Sequence, residues 1–184
     1  MKQESSARGE VIITGLGGAG VLTAGTLLAE AATTKYKNVT WFPSYAISKR
    51  GGLCECTVIF SDHDIASPLI SQADGVIVAE AAQFQDFEGR VRAGGTMIVE
   101  KEGLHAKAKR KDIRVIEVEA IKTAIGLSGT SQGANLILLG AFVGATQIIT
   151  PELIKRQLKK AFAGKEEMLT ANLEAFDRGL HLVK

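Results

Sequence analysis

A β-branched run, Val11-Ile12-Ile13, feeds directly into a glycine turn, Gly15-Leu16-Gly17-Gly18-Ala19-Gly20. Branched side chains favour the pleated, half-buried surface of a strand, and Gly15 ends it. Beyond the turn, Val21, Ala24, Leu28 and Ala31 recur at helical spacing on one face. The glycines permit positive φ and close backbone approach. A strand passing through such a turn into a helix commits the chain to an α/β architecture. It also makes a cradle of backbone N–H groups that suits an anion. The bland alternative is a tight turn that lets helix and sheet pack closely.

A second glycine turn, Lys49-Arg50-Gly51-Gly52, precedes the strand-like run Cys54-Glu55-Cys56-Thr57-Val58-Ile59-Phe60. Guanidinium binds phosphate or carboxylate bidentately, so Arg50 reads as a second jaw facing a ligand or a partner. A surface arginine beside a turn is the other reading.

The first turn resembles a dinucleotide fingerprint, which needs an acid at the end of the second strand for the ribose hydroxyls. Val39-Thr40-Trp41-Phe42 runs instead into Pro43-Ser44-Tyr45, with no acid, and Glu30 lies inside the helix. Nicotinamide dinucleotide binding is therefore disfavoured. Ser44 and Tyr45 either hydrogen-bond a ligand or partner, or simply finish the strand and start the loop.

Gly75–Ala79, Thr96–Val99 and Val115–Val118 read as further strands, with a short helical stripe of Phe84, Phe87 and Val91 ended near Gly94-Gly95. Ala134 to Thr146 is apolar nearly all round, so that helix is central in the fold or covered by another chain. Thr150-Pro151-Glu152 supplies an N-cap, a proline at the first helical position and a first-turn acid. Ile154, Leu158, Ala161 and Phe162 form that helix's inner face, and Gly164 stops it. The last helix buries Leu169, Leu173 and Phe176, with Asn172 beside the stripe and free to bind a backbone group here or across an interface. The expected fold is a single three-layer α/β/α, Rossmann-like domain over residues 1–184. It has a largely parallel sheet and C-terminal helices, with 1–9 a frayed start.

Composition excludes several functions. The formal net charge of +2 gives no strong pull toward nucleic acid or membrane. Lys107, Lys109, Arg110 and Lys111 lack interleaved aromatics and read as a solvated connection. No apolar run is long enough to span a bilayer and no signal peptide is visible, which with two reduced thiols fits the cytoplasm. Cys54 and Cys56, at i and i+2, share one strand face and are too few for a four-thiolate cluster. His63, His105 and His181 are scattered, so no metal site is expected, and no catalytic residue is assigned.

Taken together, these landmarks resemble the gamma subunit of 2-oxoacid:ferredoxin oxidoreductases. The matching stretches are Gly15–Gly20, Val39–Tyr45, Arg50-Gly51-Gly52, Cys56–Ile59, Ser61-Asp62, Ile65–Pro68, Ala73-Asp74, Gly94-Gly95, Ala134-Asn135, Leu139–Ala141 and Asn172. The segments Thr40–Tyr45 and Ile65–Pro68 are most similar to the 2-oxoglutarate branch; pyruvate and branched-chain 2-oxoacid branches share most of the rest. The chain departs from the family pattern at Ala19, usually Gln, at Ala46–Lys49, usually Gly-Pro-Glu-Met, and at Glu80, commonly Asn.

The resemblance implies a complex that oxidatively decarboxylates a 2-oxoacid, transfers the acyl group to coenzyme A and passes electrons to ferredoxin. Thiamine diphosphate and iron–sulfur clusters are then expected on alpha, beta and possibly delta partners, with no cofactor on this chain. The gamma part would be structural or face the coenzyme A side. Gly15, Gly17, Gly18, Ala19, Gly20, Ser44, Tyr45, Arg50, Gly51 and Gly52 become candidates for a ligand or partner loop, and Asn135 and Asn172 for an interface. The rival is a stand-alone nucleotide- or phosphate-binding module.

Overall fold

The computed structural model describes residues 8–45 and 52–183. Strand β1 (Arg8–Leu16) is followed by α1 (Val21–Ala32), β2 (Asn38–Tyr45), β3 (Leu53–Ser61) and β4 (Ala73–Val78). A 3-10 turn (Ala81–Gln83), α2 (Phe84–Glu88), β5 (Val91–Glu100), β6 (Arg114–Val118) and α3 (Ala120–Ser128) come next. Helices α4 (Ala134–Thr146), α5 (Pro151–Ala161) and α6 (Glu166–His181) complete the order.

The strands form one sheet in the order β2-β3-β1-β4-β5-β6. β1, β4, β5 and β6 pair in parallel, while β3 runs antiparallel to both β1 and β2. Five strands therefore share one direction, and β3 is wedged between β1 and the edge strand β2. This is the expected α/β fold with a mostly parallel sheet, modified at one edge.

Strand alternation sends β1 side chains into two cores. Val11 and Ile13 join a large cluster made with α1, α3, α4, α5 and α6. Ile12 joins a smaller one with Val76, Phe84, Phe87, Met97 and Val99, closed by Ile70, Leu104 and Ile113 from connecting segments. One layer is thus a full set of helices, and the other is thin.

Helix α4 is the hub of the thick layer. Leu136 to Val143 are buried, which explains an apolar circumference inside the fold rather than on a partner-facing surface. A Cβ at Gly140 would lie 2.2 Å from the Phe176 carbonyl oxygen, and one at Gly179 would lie 2.1 Å from that of Ile137. Glycine is what lets α4 and α6 touch backbone to backbone.

Several local readings change. Val91 does not continue the α2 stripe; it begins β5, and the helix ends at Gly89. Gly94 and Gly95 lie within β5, where Gly94 has φ +79° and the pairing with β4 shifts register between Ala73 and Gly75. A bulge bends the strand there. Ala161 is exposed, whereas Ile154 and Leu158 are buried beneath α5. Thr150 sits at the N-cap in extended backbone, but its hydroxyl makes no capping bond.

Candidate functional site

The glycine turn after β1 stands at the C-terminal edge of the parallel strands, where ligands of open α/β sheets bind. It forms one wall of a cleft of about 260 Å³. Gly18, Ala19 and Gly20 face Ala79 at the end of β4, Glu100 at the end of β5, Ile121 in α3 and the 131–135 approach to α4. The N-termini of α1, α3 and α4 thus meet at one place. Neither Gly20 nor Gly133, the N-cap residues of α1 and α4, offers a side chain to its helix. In α4 the first turn is partly engaged already, with the Ala134 N–H donating to the Ser131 carbonyl and the Leu136 N–H to the Gly133 carbonyl.

The loop itself is tightly wired. Gly17 N–H donates to the Gly52 carbonyl at 3.0 Å, and Ala19 N–H to the Leu16 carbonyl at 3.0 Å. The described end of the second glycine turn therefore lies against the first. Gly18 has φ +100° and Gly20 φ +75°. A Cβ at Gly18 would meet nothing within 4 Å, whereas one at Gly20 would lie 2.5 Å from Asn135 Nδ2. Asn135 Nδ2 donates to the Gly20 carbonyl at 3.1 Å.

Glu100, 1% exposed, is the charged residue that the sequence reading missed. Its Oε2 accepts from the N–H groups of Ala120 (3.1 Å) and Ile121 (3.0 Å), capping α3, and Oε1 accepts from Glu102 N–H at 2.9 Å. Burial pushes its carboxyl above the ordinary glutamate range, and the three N–H contacts oppose that shift. No local signal marks it, because its partners on α3 come from a later helix. The second strand ends without an acid, and it is separated from β1 by β3; the acid at the cleft comes from β5 and is engaged in capping α3.

The other candidates separate. Gly15 is buried beneath the loop, where a Cβ would lie 2.9 Å from Val21 Cγ2. Ser44 is exposed on the edge strand opposite Glu55 and does not line the cleft, and the Tyr45 backbone pairs with Cys54. Asn172 lines a different groove, with Leu127, Thr130 and Met168, which shares Gln132 and Gly133 with the cleft. Arg50 and Gly51 lie outside the described residues.

Glu80, where the resembling family commonly has Asn, caps the 3-10 turn through the Ala82 N–H at 3.5 Å. The basic stretch is a loop, and Arg110 is tied down within it by Asp112 and the Glu88 and Val91 carbonyls. Cys54 and Cys56 are buried free thiols, and burial pushes Cys56 up to about 12. Among the described residues no cluster of three or more His, Cys, Asp or Glu could hold a metal, and no helix is long and apolar enough to cross a membrane.

Known proteins are similar to this chain in sequence and fold. The ketoisovalerate oxidoreductase subunit VorA of Methanothermobacter marburgensis is 30% identical over 171 residues, covering 92% of this chain and 35% of VorA. This chain thus spans about a third of that relative. The 2-oxoglutarate synthase subunit KorC of Methanothermobacter thermautotrophicus is 28% identical over 184 residues, covering 96% of this chain and 95% of KorC. The crystal structure of the pyruvate oxidoreductase subunit PORC from Thermotoga maritima superposes with a TM-score of 0.79 at 26% identity, covering 96% and 97% of the two chains. A 2-oxoglutarate:ferredoxin oxidoreductase from Magnetococcus marinus has the same fold in 31% of its chain, over 97% of this one, with a TM-score of 0.85 at 21% identity. The pyruvate ferredoxin/flavodoxin oxidoreductase family profile matches residues 10–182, and the chain belongs to that family.

Proposed function

We propose that this chain is the gamma subunit of a complex that oxidatively decarboxylates a 2-oxoacid to an acyl-coenzyme A and delivers the electrons to ferredoxin. The observation that carries the reading is the family match across residues 10–182 together with near end-to-end similarity to KorC and PORC. The complex works in the cytoplasm. The substrate we favour is 2-oxoglutarate, on the Thr40–Tyr45 and Ile65–Pro68 segments and the KorC similarity; pyruvate and ketoisovalerate are the competitors.

In this reading thiamine diphosphate and the iron–sulfur clusters sit on alpha, beta and possibly delta subunits. Cys54 and Cys56, both buried, are too few to hold a cluster. This chain's own part is at the coenzyme A side. The Gly18 and Gly20 N–H groups and the starts of α1 and α4 suit the negative phosphates of coenzyme A. The Glu100 carboxyl in the same cleft is already hydrogen-bonded by three N–H donors of this chain and caps α3. Arg50, with Gly51, is the second jaw. Ser44 and Asn172, which do not line the cleft, serve partner contacts, and so does Tyr45.

The test is the complex isolated through a tag on this chain and assayed for viologen reduction with each of the three 2-oxoacids. The expected result is coenzyme-A-dependent turnover, fastest with 2-oxoglutarate, and a raised KM for coenzyme A in Arg50→Ala. Turnover that ignores coenzyme A, or reduction by none of the three acids, overturns the reading.

A further inference from the structure

The glycine loop is braced at both ends by side-chain amides from distant parts of the chain. At its start, Gln83 Nε2, from the 3-10 turn after β4, donates to the Gly15 carbonyl at 3.2 Å. At its end, Asn135 Nδ2, from the first turn of α4, donates to the Gly20 carbonyl at 3.1 Å. Each brace comes from a different layer of the sandwich.

The orientation of Gln83 is fixed by its neighbours. Thr14, fully buried, donates through Oγ1 to Gln83 Oε1 at 2.7 Å. Flipping the amide would set Oε1 against the Gly15 carbonyl, acceptor against acceptor. Thr14 itself is anchored, because its carbonyl accepts from Ala79 N–H at 2.8 Å and Ala79 lines the cleft.

A segment with this many glycines does not hold its N–H groups in one direction unaided, since glycine loses the most conformational freedom on ordering. Two of its N–H groups are already engaged, Gly17 with Gly52 and Ala19 with Leu16. Among the described residues nothing accepts from the N–H groups of Gly18 and Gly20. The carbonyls at the two ends of the loop are held from outside it: Gln83 donates to that of Gly15, and that of Gly20 accepts from Asn135 as well as from the Ala24 N–H of α1 at 3.0 Å.

We infer that Gln83 and Asn135 are positioning residues that fix the Gly15–Gly20 loop for ligand contact. The inference rests on the coenzyme-A-facing reading of that loop. Neither residue touches the ligand's reacting atoms. Both act by presenting backbone donors at a fixed place, as a preorganised site requires.

The experiment titrates coenzyme A in viologen reduction by the complex purified through this chain, at saturating 2-oxoacid. Gln83→Met, close in length and uncharged, removes the donor to the Gly15 carbonyl without adding charge beside the loop. Asn135→Leu removes the other brace. Each is expected to raise KM for coenzyme A about fivefold, the equivalent of one hydrogen bond of about 1 kcal/mol. The KM for the 2-oxoacid and kcat at saturating coenzyme A should stay within about twofold. Should Asn135→Leu fail to assemble, Asn135→Ala, which adds no bulk, carries the same expectation.

Ala19→Asp separates the two claims by placing a negative charge on the exposed loop tip. A raised KM in Ala19→Asp with unchanged KM in Gln83→Met and the Asn135 variants overturns the positioning role and leaves the coenzyme A reading standing. Unchanged KM in all of them overturns that reading as well. Loss of assembled complex with unchanged KM in what remains shows a purely structural role.

Discussion

Replacing Gly20 by alanine probes the junction on which the cleft depends. Its φ of +75° lies in the left-handed region, where alanine is disfavoured by about 1 kcal/mol. The new Cβ would stand 2.5 Å from Asn135 Nδ2, so the amide must swing away and its 3.1 Å bond to the Gly20 carbonyl is lost. That bond contributes about 1 kcal/mol. Gly20→Ala should therefore destabilise the full chain by about 2 kcal/mol. Asn135→Ala loses the same bond and should cost about 1 kcal/mol. In the double variant the bond is lost once and the contact is relieved, so the total should be about 2 rather than about 3 kcal/mol. Urea unfolding, followed by fluorescence of the lone tryptophan, Trp41, reads these differences as midpoint shifts at constant m. Additive effects to within about 0.3 kcal/mol would refute the claim that Gly20 and Asn135 act on one another.

Gly179→Ala should cost about 3 kcal/mol or more, because its Cβ would lie 2.1 Å from the Ile137 carbonyl oxygen and α6 must lift off α4; a midpoint within experimental error of the parent contradicts the packing described. Glu100 holds its proton in the folded chain at a pH where the unfolded chain has released it, so its contribution falls as pH rises from the ordinary glutamate value through the raised one. Urea midpoints across that window should show this slope in the parent and lose it in Glu100→Gln, which also gives up an acceptor and costs about 1 kcal/mol in capping α3. Cys56, with its thiol pushed up to about 12 and bonded to the Val21 carbonyl at 3.7 Å, should resist iodoacetamide in the folded chain at neutral pH; labelling at the unfolded rate would place it at the surface.

The parts of the fold legible in sequence are those with strong local signals. β1 announces itself through Val11–Ile13, and α4 through its unbroken apolar run. The wedging of β3 between β1 and β2 is not local: it follows from pairing over the whole length of β3, and no residue near Tyr45 encodes it. Helix α3 went unread because no glycine or proline separates it from β6 and its N-terminal cap, Glu100, comes from another strand. The same holds for Val91 and Gly94-Gly95, where a bulge in β5 imitates a helix ending.

The site was legible to a similar depth. Glycines at 15, 17, 18 and 20 pointed to the loop, and Asn135 was singled out, though as an interface residue. Its bond to Gly20 spans 115 positions, and that of Gln83 to Gly15 spans 68. Such contacts exist only once the sheet has brought the two elements together. Asn172 carries the same amide as the Asn135 brace, and only topology separates it from the loop.

The most direct measurement is a native pull-down of this chain from its own cells. Its recovered partners are identified, and the material is assayed for coenzyme-A-dependent viologen reduction by 2-oxoglutarate, pyruvate and ketoisovalerate. The account predicts larger subunits in fixed proportion and thiamine-dependent activity that tracks them. A chain recovered alone, inactive with all three acids and binding a phosphate ligand by itself, would contradict it.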